Sequence, residues 1–216
     1  MIRFNLALAT AVSVTLVIAG GTFEQPNTKQ RSAANVRLLV LRAPQVGPGY
    51  RAAVIPRGAN VRGQVTLDLC GQKYRSEALR LERIQLLYAR PGSPLRLSNE
   101  VVRYRPGGTA TAFRELRHAV AHCPSGPVQM PEPGSPRLTF RLTPLHLSGL
   151  LPHSIALQIH ATGTSQGRRF VINSIVTYQA RGSILSGVYT YNGSIAAQKR
   201  LAVHASRESA KNLNGA

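Results

Sequence analysis

The chain of 216 residues has room for one domain with a short leader. Lys and Arg total 27 against 8 Asp and Glu, a formal charge of +19, and Asp68 is the single aspartate. So few carboxylates disfavour calcium sites, two-metal sites and Asp-based catalytic triads, and no cofactor or metal is expected.

Residues 6–19 read LALATAVSVTLVIA without a charge, after Arg3 and before the small residues Gly20 and Gly21. A basic start, an apolar stretch and a small-residue junction form a secretory signal. The stretch is shorter than the roughly 20 residues a spanning helix needs. Residues 1–21 are therefore expected to be a signal peptide, cleaved after Gly21 or retained as an anchor. No cysteine sits at the junction, so a lipoprotein is not expected. Residues 22–35 are polar and read as a flexible linker, and the folded domain is placed at 36–214.

Export gives the two cysteines a meaning. Cys70 and Cys123 form an even pair in an oxidising compartment and are expected to be a disulfide.

Val36–Leu41 (VRLLVL) reads as a short strand. Arg42–Asn60 is mostly loop, with RAAVI a possible strand. Val61–Leu69 (VRGQVTLDL) alternates towards its end and reads as a strand, with Cys70 at its tip. Arg80–Tyr88 is strand or short helix. Pro91–Pro94 is a turn, and Ser98–Tyr104 is a strand. Thr109–Cys123 is the clearest helix, after Gly107 and Gly108 and before Pro124. Phe113, Leu116, Val120 and Cys123 make its apolar stripe. His118 and His122 share the opposite side at i,i+4. A metal would need a third ligand that is not evident.

Pro124–Pro136 is a rigid loop. The next strands are Arg137–Leu142, Ser154–Ala161, Arg169–Ala180 and Ser183–Tyr191, rich in Ile, Val, Tyr and Thr. Short turns join the last three and force antiparallel pairing. Gly187 within the last strand suggests a bulge or a close helix approach. Ile195–Leu213 is a helix with Leu201, Ala202, Ala205, Ser209 and Leu213 on one side. The pattern is α+β: an antiparallel sheet packed by two main helices, near Thr109–Cys123 and Ile195–Leu213, with one disulfide.

The strings LDLCGQKYRSEALR, LSNEVVRYRPGG and AFRELRHAVAHCP, followed by VTYQARGSILSGVYTYNG, come in an order that resembles actinobacterial extracytoplasmic sensor-domain proteins of the PknH-like extracellular domain family. The resemblance covers about Val61 to Leu213. It implies an antiparallel sheet packed by helices and a ligand-receiving cleft, a binding role without catalysis. The departures are one cysteine pair where the PknH sensor has two disulfides, and no kinase domain within these 216 residues. The reading is a free-standing, exported sensor-like domain.

Gly163-Thr164-Ser165-Gln166-Gly167 matches G-x-S-x-G. It lies between two strand-like runs, so Ser165 reads as a hairpin tip and not a nucleophile elbow. Asn192-Gly193-Ser194 reads as a turn. Ser76, Glu77, Arg80, Glu100 and Tyr104 are polar positions within the family-like segments. Two readings stand: ion pairs that fix the fold, or groups lining a ligand cleft. The arginines are dispersed and aromatics are only 6%, which disfavours nucleic acid. The leading reading is a non-catalytic, extracytoplasmic ligand-binding or sensor-like domain of the cell envelope. The alternative is an envelope-associated interaction protein that binds anionic lipid or wall polymer through a basic surface. A secreted hydrolase is third.

Overall fold

The computed structural model describes residues 35–131 and 134–215. The expected signal peptide and the linker up to residue 34 lie outside them. Eight strands form one sheet: β1 (Arg51–Val54), β2 (Arg80–Ala89), β3 (Arg96–Tyr104), β4 (Val128–Gln129), β5 (Arg137–Pro144), β6 (Ser154–Ser165), β7 (Arg168–Arg181) and β8 (Ile184–Tyr191). Their order is β1-β2-β3-β8-β7-β6-β5-β4, and every neighbouring pair is antiparallel. Among the described residues, four α-helices complete the fold: α1 (Val36–Leu39), α2 (Ala43–Val46), α3 (Gly108–Ala121) and α4 (Ile195–Asn214). The expected α+β class and the Cys70–Cys123 disulfide are both present.

Residue periodicity divides the helices between the two sheet faces. On β3, Ser98, Glu100, Val102 and Tyr104 alternate with Leu97, Asn99 and Val101. Val102 and Tyr104 join the core beneath α3, with Phe113, Leu116, Leu157, Val176 and Tyr178. Leu97 and Val101 join the cores that α1, α2 and α4 cover on the other face. α4 packs on β7 and β8 through small residues. Ala202, Ala205, Ser206 and Ser209 are all fully buried. Their hydroxyls find partners on the sheet: Ser206 with Thr177 at 2.6 Å, and Ser209 with Ser186 at 2.8 Å. Burial of these groups is tolerated because each is hydrogen-bonded.

Local chemistry sets the helix ends. Gly107 has φ 79°, a left-handed conformation that costs glycine least. A Cβ on Gly108 would sit 2.6 Å from the Tyr104 Cβ, so the helix can start directly on that ring only with glycine. Ser194 caps α4 by accepting from the Ala197 N–H at 3.2 Å.

Three sequence expectations are corrected. Residues 36–39 are helical and not a strand: Asn35 accepts from the Arg37 N–H, and Val36, Leu39 and Val40 are buried at helical spacing. Val61–Leu69 forms no strand, although Leu67 and Leu69 are in the core. Side chains take the hydrogen bonds a neighbouring strand would make. The Glu77 carboxylate accepts from the Thr66 and Leu67 N–H groups, and the Arg80 guanidinium donates to the Val61 and Gln64 carbonyls. Cys70 consequently sits in a 3-10 turn (Leu69–Gly71) at φ 59°, not at a strand tip. Gly187 lies in regular pairing without a bulge. The Tyr189 ring folds over it, 2.7 Å from where a Cβ would stand.

Candidate functional site: a groove beside α3, apart from the buried polar network

Ser76, Glu77, Arg80, Glu100 and Tyr104 are brought together in one interior layer between β2, β3 and the 3-10 turn Arg75–Leu79. Glu77 pairs with Arg80 at 3.0 Å besides receiving the two N–H groups. Arg80 also donates to the Thr66 hydroxyl at 2.9 Å, and Thr66 donates to Glu100 at 2.8 Å. Glu100 is completed by Arg83, a partner the sequence reading did not single out. Burial pushes the Glu77 and Glu100 carboxyls above the usual range, against the pull of Arg80 and Arg83. The hydroxyls of Ser76 and Tyr104 are buried without a partner among the described residues. Glu115 of α3 closes the layer by accepting from the Arg75 and Ser76 N–H groups at 2.8 and 3.1 Å.

The disulfide ties this layer to the helix. Cys70 and Cys123 have Cα atoms 5.4 Å apart, within the range the bond requires. Cys70 is fully buried and Cys123 half-buried just past the end of α3. His118 and His122 stack at 4.2 Å on the exposed side of the helix. Among the described residues, no group of three or more His, Cys, Asp or Glu could hold a metal.

The open concavity lies on the other flank of α3. A pocket of about 660 Å³ is walled by Arg117, Val120 and Ala121 of the helix, the β5–β6 connection from Pro144 to Leu150, and the first residues of β6. A second pocket of about 430 Å³ continues along the helix past Phe113, Arg114 and Arg117 to His153 and Gly182. Arg117 lines both, so the two form one groove along α3. The half-buried Leu145, Leu147, Leu150 and Ile155 give it an apolar wall. Arg117 lies 5.8 Å from the Phe113 ring centroid, a cation–π position. Its lining carries the guanidinium groups of Arg114 and Arg117 and the imidazoles of His146 and His153, with no carboxylate. Arg207 of α4 fixes the far wall by donating to the Ser148 carbonyl at 3.0 Å and its hydroxyl at 2.6 Å.

Of these groove residues the sequence reading named only Phe113 and Val120, as part of the apolar stripe of the helix and not as a binding site. The available signal was the segment Pro144–Pro152, leucine-rich yet without strand or helix period. Ser165 ends β6 at a two-residue turn made by Gln166 (φ 51°) and Gly167 (φ 74°), a hairpin tip as expected from the flanking runs.

No protein-family model and no curated protein matches the chain. The fold is similar to that in the crystal structure of the extracellular domain of PknH from Mycobacterium tuberculosis. The TM-score is 0.50 at 14% identity, over 83% of this chain and 97% of that one. At that identity the likeness is one of fold: an antiparallel sheet with helices on its faces. Among the described residues, no helix is long and apolar enough to cross a membrane.

Proposed function

We propose that this protein is a non-catalytic, extracytoplasmic ligand-binding domain of the cell envelope, sensor-like in fold, with its ligand in the groove beside α3. The observation that carries this reading is the division of labour among the polar residues. The interior carboxylates and arginines satisfy one another, whereas Arg114 and Arg117 stand over an open, apolar, carboxylate-free groove. Pockets of this size with an apolar lining and a few placed polar groups suit small organic ligands. The lining favours one with an acidic group and an apolar body. The extracytoplasmic placement is supported by the apolar stretch at 6–19, by the disulfide and by the likeness to an extracellular domain.

The experiment is mass spectrometry of small molecules retained by the protein purified from its native envelope, beside Ala121→Trp. Ala121 is exposed and lines the groove, so the indole fills the space without disturbing the core. Wild type should retain an acidic amphiphile that the variant loses. An identical set of molecules on both proteins would refute the assignment to the groove.

A further inference from the structure

The β6–β7 hairpin outruns β8 at one end of the sheet. The last β7–β8 pair is Ser174 with Tyr191, whereas β6 and β7 stay paired to Ser165 and Arg168. Residues 168–173 therefore have no strand on their β8 side. Both faces of this overhang carry exposed apolar side chains, Val171 at 51% and Ile172 at 38%, which point in opposite directions because strand side chains alternate. Burial in this domain does not account for them.

The same end carries a cationic shelf. Thr139 pairs with Thr162, and Thr162 with Val171; one pleat further along, Thr164 pairs with Arg169. Arg137 precedes Thr139 by two residues and so shares its face. Arg137, Thr139, Thr162, Thr164 and Arg169 line a shallow pocket of about 540 Å³. β5 and β7 lie two strand spacings apart, about 10 Å, a gap two arginines can close around one phosphate. No Asp or Glu occurs between Glu132 and Glu208, so β5 to β8 carry positive charge alone.

We infer that this hairpin end docks on an anionic phospholipid surface. A headgroup phosphate sits between Arg137 and Arg169 with threonine hydroxyls donating to it, and Val171 and Ile172 enter the interfacial layer. Charge complementarity selects the anion. The paired exposed aliphatics select a bilayer over a soluble polyanion, which would gain from the arginines and nothing from Val171 or Ile172. This surface is distinct from the groove beside α3, and either assignment can fail alone.

The test is co-sedimentation of the chain without its apolar leader, residues 22–216, with vesicles of equal parts phosphatidylglycerol and phosphatidylcholine. Arg137→Gln with Arg169→Gln should weaken binding roughly thirty-fold, from the usual contribution of two cations at a membrane surface. Val171→Asp with Ile172→Asp should abolish it, and the milder Val171→Thr with Ile172→Thr should weaken it with an unchanged melting temperature. Lys199→Gln with Arg200→Gln on α4 should leave it within about three-fold, since those cations lie outside the shelf. Any of four results overturns the inference: equal loss in the α4 pair, wild-type binding by the threonine pair, competition by an acidic wall polymer that leaves no vesicle-bound protein, or a dimer in gel filtration that the threonine pair dissolves while vesicles stay unbound.

Discussion

Arg83 of β2 and Glu100 of β3 form an ion pair in which each side chain is only 2% exposed. Arg83 also donates to the Gly58 carbonyl at 3.2 Å, so one guanidinium joins the sheet to the segment before β2. Removing one partner of such a pair strands the other charge in the interior. Glu100→Ala should lower the unfolding free energy by about 3–5 kcal/mol, and Arg83→Met with Glu100→Leu should recover most of that loss. Urea denaturation of the two variants against wild type checks both statements.

The same interior carboxyls give a pH dependence. Glu77 and Glu100 are raised in the folded protein, chiefly by burial. Their contribution is fully present below the ordinary glutamate range and is lost as pH rises through their folded values. Glu208 is lowered by its hydrogen bond to Lys211, and its contribution is lost only as pH falls below that range. Thermal melts should therefore show a higher Tm at pH 5 than at pH 7. Glu100→Gln should flatten the difference, and a wild-type curve rising from pH 5 to 7 would contradict the assignment.

The disulfide closes a loop with a sequence separation of 53. Loop-closure entropy puts its stabilisation at about 4 kcal/mol. Cys70→Ala with Cys123→Ala should lower Tm by about 10 °C in a domain this size. Calorimetry of the variant, and of reduced wild type, should agree.

Six tyrosines should resist alkaline titration. Burial raises Tyr74, Tyr88, Tyr104, Tyr178 and Tyr189 well above the ordinary value and Tyr191 to about 12. Their contribution is fully present below the unfolded value, about 10, and is lost as pH rises through the folded values. Absorbance at the phenolate band should show these six protonated at about pH 11 and ionising together with loss of the far-ultraviolet dichroism. Ionisation of any of these six in the native protein below that pH would refute the burial.

Arg207→Ala should free the groove's outer wall with little change in global stability. The two bonds to Ser148 are solvent-exposed and contribute about 1 kcal/mol together. Hydrogen exchange should speed up at residues 146–150 and stay unchanged in β7 and β8.

The hairpins of β6 to β8 and both long helices were legible in the sequence because their information is local. Period-two runs and two-residue turns specify antiparallel neighbours, and the Phe113, Leu116, Val120 stripe specifies a helix with its inward face. The disulfide was legible too, since two cysteines in a chain read as exported leave one pairing. Cys70's place in a 3-10 turn was not. Whether 61–69 became a strand depended on Glu77 and Arg80 reaching back to its backbone, and spacing along the chain does not encode that competition. The polar positions Ser76, Glu77, Arg80, Glu100 and Tyr104 could be picked out from the sequence. Only the fold decided that they meet in the interior, with Arg83 completing Glu100 from the neighbouring strand. The groove beside α3 belongs wholly to the tertiary structure: Arg117 and Leu145 carry no shared sequence signal, and they become one wall only when the sheet sets the β5–β6 connection against the helix.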